Sequence, residues 1–507
     1  MLLLLFTKID FRFKEIDPGL IHDDAAYYYH TQTIGVDQDF DYSNQLAGTD
    51  KRNLNVENGN PVPVHPIGVG LLAGPFMFFS NLLSEQFLLD SIISFNYFIY
   101  SLVSIFYLFL SINLLKRILI SKVPGFNQRE LYLFIFGSGI TYYAFERFSM
   151  SHIYEFFGIC SIFYLSFTYE KKTKKNYKLI LEFLIPISMF LLLTIRWSNY
   201  HIFLIPLFYS FLFQNKVKKI YLKPAFMIGF ILSIFGFLMH TKYLYGIYTF
   251  NPSDIFLLVE NRLSENYENL KNPSLFFQNI RLTLMTFLIT SFSQEFGIFY
   301  FSSIVFIGFI FLVFLLLQKQ YLLFFITSVI YIIPFSGIVV FQNTSYSYGF
   351  RYLFSLIPIN LLIYFRNFHN VKFIKYYLNI FSFFGLLGLL MFEVSNYTVL
   401  STDYVTNSFG QMTKFANPEY LSGVIISLSK LDSYLNIIFT SFFGLIIIKL
   451  LSYLTEPVSF ISNFRVVNDD IANMIFNAKS ISWFYIFILL SLLGGITYNL
   501  NRKIKVH

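Results

Sequence analysis

The stretch that decides the fold lies at residues 297–341, which read GIFYFSSIVFIGFIFLVFLLL, then QKQ, then YLLFFITSVIYIIPFSGIVVF. Its one charged residue is Lys319, between the two apolar halves. Each half matches the ~20 residues that a helix needs to cross a bilayer, and apolar side chains cover every face of it rather than one stripe. The stretch therefore predicts a helical hairpin through a membrane.

Blocks of the same kind recur along the 507 residues, of which 55% are hydrophobic and 13% charged, with a mean hydropathy of +0.58. A soluble chain is about one-quarter charged. We predict spans at residues 88–113, 130–145, 153–169, 179–195, 197–213, 220–239, 297–317, 321–341, 351–365, 373–392, 435–454 and 481–498. The sequence thus predicts an all-α polytopic membrane protein with about 12 transmembrane helices, in which residues 1–507 form a single domain.

The charge of the short loops sets the expected orientation. Basic residues concentrate in alternate loops, at Lys116, Arg117, Lys122 and Arg129, then Lys171, Lys172, Lys174, Lys175 and Lys178, then Lys216, Lys218, Lys219 and Lys223. An excess of Lys and Arg in short loops marks the cytoplasmic side. We therefore expect residues 7–87, 240–296 and 393–434 to face away from the cytoplasm of a plasma (inner) membrane. The net charge of +8 then reflects orientation and does not indicate a nucleic-acid partner.

Three segments leave the number of crossings open. Residues 66–83 are apolar enough to span, but a crossing there would put the first loop on the wrong side, so we interpret them as an interfacial or re-entrant helix. Residues 274–292 would reverse every later segment if they inserted. Only MLLLLF precedes Thr7, and a complete first helix would raise the count to about 13.

Residues 7–87 hold the densest cluster of ionisable groups in a chain that otherwise avoids charge. Asp23 and Asp24 open the run DDAAYYYH, which contains Tyr28 and ends at His30. A partly desolvated carboxylate at a membrane surface can act as a general base towards a hydroxyl group. A merely solvated acidic loop is an equal alternative.

The acidic run continues with Asp37, Asp39 and Asp41, whose spacing resembles the start of a calcium loop. Such a loop needs glycine at its sixth position and glutamate at its twelfth, where this chain has Tyr42 and Gly48. Asp37 and Asp39 are therefore weak candidates for a divalent metal, and a turn is the favoured interpretation.

Further ionisable residues flank the predicted outward turns. His65 opens the interfacial helix, Arg147, His152 and Glu155 flank one turn, and Arg196 and Arg351 begin two later spans. Ionisable residues at membrane depth are costly and are functional candidates for that reason. The alternative is that each side chain extends to the interface without a function.

The order of these motifs resembles the multi-spanning C-type glycosyltransferases, which include the protein O-mannosyltransferases and the lipid A aminoarabinose transferases. The similar stretches are Asp23-Asp24 with Tyr28, then HPIGVGLLAGPF (65–76), SMSHIYEFF (149–157), RWSNYHIFLIPL (196–207), SQEFGIFY (293–300) and SYGFRY (347–352). One departure is Trp197, which stands where the family has proline. Another is the incomplete first helix.

The resemblance implies transfer of a sugar from a polyprenyl-phosphate donor to a lipid, glycan or protein acceptor, with inversion, at the outer face of the membrane. Asp24 would be the base and Asp23 would orient the acceptor or the sugar. His65, Arg351, Arg196, Tyr28 and His152 would bind the donor phosphate or the substrate. The need for a divalent metal stays open. The rival interpretation is a transporter or flippase of lipid-linked saccharides, and a structural or sensory protein is the third.

Overall fold

The chain is described here from a computed structural model. The structure describes residues 23–46, 61–63, 65–87, 95–145, 147–251, 254–255, 287–288, 291–292, 297–341, 351–400, 429, 434, 438, 441–451 and 483–501. Within these ranges the chain is mostly helical and holds no β-strand, which confirms the all-α prediction. Most of the predicted outward segments 240–296 and 393–434 lie outside the described residues, as does most of 274–292.

The described α-helices are α1 (Asp23–Gln32), α2 (Gly68–Phe87), α3 (Phe95–Lys122), α4 (Gln128–Phe136), α5 (Ile140–Phe145), α6 (His152–Lys171), α7 (Lys175–Ile195), α8 (Ile205–Leu212), α9 (Pro224–Tyr245), α10 (Ile298–Phe301), α11 (Ser303–Leu317), α12 (Tyr321–Phe341), α13 (Ile357–Ile363), α14 (Lys372–Leu400), α15 (Phe442–Leu451) and α16 (Trp483–Asn501). Short 3₁₀ helices precede three of them, at Tyr200–Leu204, Val217–Leu222 and Arg351–Leu356. Helical structure thus covers at least part of each predicted span.

Three of the described helices, α3, α7 and α9, are long and apolar enough to cross a membrane. Their lengths of 28, 21 and 22 residues correspond to at least ~30 Å at 1.5 Å per residue. The 22-residue helix α9 leaves large apolar side chains exposed, among them Met227, Ile228, Ile231, Leu232, Phe235 and Met239. An exposed apolar helix of this length is typical of a protein whose surrounding solvent is lipid.

Three predicted boundaries are wrong. Lys116, Arg117 and Lys122, predicted to lie in a loop, lie on α3, because apolar residues continue between them and basic side chains are favourable near a helix C-terminus. The span at 297–317 is divided at Ser302 into α10 and α11. The span at 130–145 is broken between α4 and α5. At the break a Cβ atom on Gly137 would overlap the Ser382 carbonyl oxygen, so the backbone of α14 occupies that space.

The core is a row of four helices in which α3 packs on α6, α6 on α7, and α7 on α9. Lys122, at the end of α3, pairs with Glu170 near the end of α6, so these two helices run in the same direction. Arg196 follows α7 and contacts Glu155 near the start of α6, so α7 runs in the opposite direction. The row therefore has a basic end, which carries Lys122 and Lys172, and an opposite end, which we call the site end.

Candidate functional site

Helix α1 lies at the site end, where its first turn meets the turn before α6. Asp24 accepts two hydrogen bonds from Arg147 on one carboxylate oxygen, Oδ2, from Nε at 3.1 Å and from Nη2. The side chains are 21% and 29% exposed, respectively, so the pair is partly shielded from water. Burial lowers the pKa of Arg147, but the Asp24 carboxylate together with Tyr142 and Tyr143 outweighs it, so the pKa is raised.

A second carboxylate lies deeper, on the first turn of α6. Glu155 is 1% exposed and contacts Arg196 Nη1 at 3.3 Å and His152 Nδ1 at 3.5 Å through Oε2. A buried carboxylate requires a positive partner, because desolvation of an unpaired charge costs several kcal/mol. Arg196 supplies it from the end of α7, so this ion pair fixes α7 against α6.

Tyr352 connects the arginines. Its ring centroid lies 4.7 Å from Cζ of Arg196 and 5.3 Å from Cζ of Arg351, so one aromatic ring contacts two guanidinium groups. Arg351 also interacts electrostatically with Arg147 and with His152. Arg351 thus lies near both ion pairs, that of Arg147 with Asp24 and that of Arg196 with Glu155.

These five ionisable residues, Asp24, Arg147, Glu155, Arg196 and Arg351, form what we call the charged cluster. They come from four separate parts of the chain, and the contacts above bring them together at the site end. The described side chains of the charged cluster thus include three guanidinium groups. Guanidinium groups in a partly buried site are suited to an anionic ligand such as a phosphate.

Aromatic rings form one wall of the charged cluster. His152 packs on Tyr143 at 4.7 Å and on Phe354 at 5.8 Å between ring centroids. Tyr143 interacts electrostatically with Arg351, Arg147 and Asp24. Tyr352 ends the SYGFRY stretch quoted above, whereas no sequence signal sets Tyr143 apart from the other tyrosines.

Several buried polar atoms near the charged cluster have no hydrogen-bond partner within the described part of the chain: the Tyr143 hydroxyl, Glu155 Oε1, Asn199 Nδ2 and both ring nitrogens of His201. His201 interacts electrostatically with Glu155 and Arg196. Buried polar atoms in native proteins are nearly always satisfied, by protein, water or ligand. Their concentration here is typical of a binding site.

The other predicted site residues in α1 have different surroundings. Asp23 is the first residue of α1, and its side chain lies outside the described structure. Tyr28 is buried and packs on Tyr97 and Tyr100 of α3, with ring centroids 5.3 and 5.1 Å apart. Asp24 and Tyr28 share one face of α1, since residues four apart are neighbours on a helix. The Tyr28 contacts therefore position Asp24.

His65 contacts α1 through residues outside the Asp24–Tyr28 face. Its ring packs on Tyr27 at 5.3 Å, and its carbonyl oxygen accepts hydrogen bonds from His30 Nε2 at 2.8 Å and from the Tyr245 hydroxyl at 3.1 Å. Burial lowers the pKa of His30 to about 3. Because the neutral ring donates from Nε2, its Nδ1 accepts from the Tyr42 hydroxyl at 2.7 Å. These contacts anchor α1 to the segment before α2.

The acidic residues at 37–41 form a turn. Asp37 accepts from the side chains of Asn44 and Gln45, and Asp39 accepts from the Asp41 backbone N–H at 3.1 Å. Gln38, between them, has a left-handed backbone with φ of 61°. Among the described residues, no group of three or more His, Cys, Asp or Glu side chains is placed to hold a metal ion.

Comparison with known proteins adds no relative. No family model, no curated protein and no solved structure matches this chain. Functional inference therefore depends on the charged cluster and on the motifs quoted above.

Proposed function

We propose that the protein is an integral membrane glycosyltransferase of the inverting C-type, which moves a sugar from a polyprenyl phosphate to the hydroxyl group of an acceptor. The observation that carries this proposal is the charged cluster. It combines a carboxylate that can accept a proton, Asp24, with three guanidinium groups that suit a phosphate. The motif order that resembles the C-type family supports the same assignment.

The guanidinium groups of the charged cluster suit a phosphodiester. The phosphate of a polyprenyl-phosphate sugar carries one negative charge, which a guanidinium group can bind through two parallel hydrogen bonds. As the bond to the sugar breaks, negative charge develops on the departing phosphate oxygen. Guanidinium groups already in place stabilise that charge without reorganisation, and such stabilisation is usually the largest single contribution to catalysis.

The proposed step is a single displacement at the anomeric carbon. The acceptor hydroxyl loses its proton to Asp24 while its oxygen bonds to the anomeric carbon. The bond from that carbon to the phosphate oxygen breaks, and the electron pair leaves with polyprenyl phosphate. Arg196 and Arg351 hold the phosphate, and Glu155 holds Arg196 in position.

We propose that the prenyl chain lies along helix α2. Its first residue, Gly68, approaches the end of α7 so closely that a Cβ atom would lie 2.6 Å from the Thr194 carbonyl carbon, two residues from Arg196. Along its length α2 exposes apolar side chains, including Phe79 and Leu82. A lipid chain lying on this face would enter the charged cluster headgroup first.

A transporter is the less favoured function. Transporters bind their cargo near the middle of the membrane, often at broken helices. The charged cluster instead lies where α6 begins and α7 ends, about 30 Å from the basic end for a 20-residue helix.

We further propose about 12 crossings of a plasma membrane, with the site end outside. Cysteine labelling tests this sidedness, because the chain's single cysteine, Cys160, is fully buried. Ser43→Cys at the site end should react with a membrane-impermeant maleimide on intact cells, whereas Lys172→Cys should react only after permeabilisation. The reverse pattern would overturn the orientation.

The activity test uses purified protein in detergent with radiolabelled polyprenyl-phosphate sugars and membrane extract as acceptor. Wild type should release the sugar from the prenyl phosphate, and Asp24→Asn should lose at least about a hundredfold in rate, which is the usual value of a general base. Glu182→Gln is the matched control. The Glu182 carboxylate accepts a hydrogen bond from the Tyr169 hydroxyl at 3.0 Å, and it does not belong to the charged cluster. Turnover that survives Asp24→Asn would exclude Asp24 as the base.

A further inference from the structure

The proposed base is bound to a cation in the structure. Arg147 directs two N–H groups at Oδ2 of Asp24, so this oxygen already accepts from a cation. Arg147 also interacts electrostatically with Arg351, one of the arginines proposed to hold the phosphate. A phosphate bound beside Arg351 and the Asp24 carboxylate would therefore compete for the same guanidinium group.

The two arginine–carboxylate pairs differ in how firmly they are held. The pair of Arg196 with Glu155 is enclosed, with side chains 14% and 1% exposed, and the Tyr352 ring packs on the guanidinium. The pair of Arg147 with Asp24 is more open, with side chains 29% and 21% exposed, and no aromatic ring among the described residues packs on the Arg147 guanidinium. Arg196 is thus fixed by its surroundings, whereas Arg147 can turn away from its partner at lower cost.

We infer that Arg147 exchanges partners, leaving Asp24 for the donor phosphate when the lipid-linked sugar binds, so that donor binding itself frees the base. The inference rests on the proposed function, because it needs a phosphate-bearing ligand at the charged cluster. It assigns Arg147 a role in donor binding and makes Asp24 a competitor of the phosphate. The consequence is ordered action: Asp24 becomes available to the acceptor only after the donor is in place, which protects the site from unproductive proton transfer.

The exchange predicts an unusual effect of a base-removing substitution on binding. Asp24→Asn removes the competitor, so a prenyl phosphate should bind about tenfold more tightly to Asp24→Asn than to wild type. Arg147→Met should bind it about tenfold more weakly. The double variant should bind it as Arg147→Met does, because loss of the competitor has no effect once Arg147 is absent.

The experiment measures binding of farnesyl phosphate, with farnesol as the uncharged comparison, to purified full-length protein in detergent. Isothermal titration gives the dissociation constants, and a melting curve for each variant confirms that it is folded. Glu182→Gln, the control that removes a carboxylate elsewhere, should bind as wild type does. If Arg147→Met does not fold, Arg147→Lys serves in its place, since an ammonium cannot reproduce the two-pronged contact with Asp24.

The outcomes separate the exchange from the proposed function. Tighter binding of farnesyl phosphate to Asp24→Asn, abolished in the double variant, supports the exchange. Equal or weaker binding to Asp24→Asn, with wild type still preferring farnesyl phosphate to farnesol, overturns the exchange alone. Equal binding of farnesyl phosphate and farnesol to wild type removes the phosphate site, and the proposed function with it.

Discussion

Replacement of Glu155 by glutamine tests the central ion pair of the charged cluster. Glutamine keeps the size of the side chain and one oxygen but removes the negative charge opposite Arg196. Glu155 is 1% exposed and its carboxylate lies 3.3 Å from Arg196 Nη1, so little water is present to replace the lost interaction. The variant leaves the Arg196 guanidinium without its carboxylate, in a largely buried position.

The expected loss in the free energy of unfolding follows from the distance between the charges and from measured buried ion pairs. Coulomb's law for unit charges at 3.3 Å gives about 5 kcal/mol at an effective dielectric constant of about 20. Removal of one partner from a buried ion pair costs roughly 3–5 kcal/mol in measured cases. Because glutamine can still accept one hydrogen bond from Arg196, we expect a loss of about 3 kcal/mol in the free energy of unfolding.

Unfolding in mixed micelles, followed by tryptophan fluorescence, provides the assay. The chain has two tryptophans, and Trp197 is buried beside Arg196, so a Trp483→Phe background makes the signal report on the site end. In a double-mutant cycle with Arg196→Gln, the two losses should couple by at least about 2 kcal/mol, since the second substitution removes the charge that the first leaves unpaired.

Two results of this double-mutant cycle would contradict the predicted ion pair. Strictly additive losses would mean that Glu155 and Arg196 do not interact, whatever the distance between them. A Glu155→Gln variant within about 0.5 kcal/mol of wild type would mean that the carboxylate is not buried against a cation. Glu182→Gln removes the charge of the group that accepts from the Tyr169 hydroxyl but keeps one oxygen to accept the bond, so it should cost no more than about 1 kcal/mol and calibrates the scale.

Three further predictions concern the docking of α1. Gly70→Ala places a Cβ atom 2.7 Å from the His30 carbonyl oxygen, so it should lower the free energy of unfolding by about 1–3 kcal/mol. Gly236→Ala is the control: its Cβ atom meets nothing within 4 Å, so it should stabilise α9 by up to about 1 kcal/mol. The folded-state pKa of His30 is about 3, below the ordinary 6.5, so the unfolded chain binds a proton first and the free energy of unfolding falls as the pH drops below 6.5. The stabilities of wild type and His30→Gln, measured from melting curves at each pH, should therefore diverge below pH 6.5 by about 1.4 kcal/mol per pH unit. Parallel pH dependences would contradict this. Tyr245→Phe removes the hydroxyl that donates to the His65 carbonyl oxygen and should cost about 1 kcal/mol in the same unfolding assay; no loss would show that this bond does not anchor the segment.

The sequence predicts the positions of the helices well because each apolar helix is specified by its own residues. In the stretch 297–341 the second half is one helix, α12 at Tyr321–Phe341, as predicted, whereas the first half is divided at Ser302 into α10 and α11. The break after Gly137 could not be predicted in this way, because its cause is the backbone of α14, which is far away in the chain. Local patterns thus give helix positions, and contacts between distant helices give the interruptions.

The site is only partly readable from the sequence for the same reason. Asp24, His152, Arg196 and Arg351 each stood out as ionisable residues near predicted outward turns, and the structure brings them to one end. Arg147 and Glu155 also lie beside a predicted outward turn, but nothing in the sequence pairs either of them with its partner. Arg147 is 123 residues from Asp24, and no local pattern links the two. Charge and sidedness can nominate candidates, but pairing requires the three-dimensional arrangement.

The most direct test of the proposed glycosyltransferase activity measures where the sugar goes. Proteoliposomes would contain the purified protein, a polyprenyl-phosphate sugar labelled in the sugar, and membrane extract as acceptor. We expect the label to leave the prenyl phosphate and appear on the acceptor, with one polyprenyl phosphate released for each sugar transferred. Label that stays on the prenyl phosphate but crosses the bilayer would contradict it and would identify a transporter.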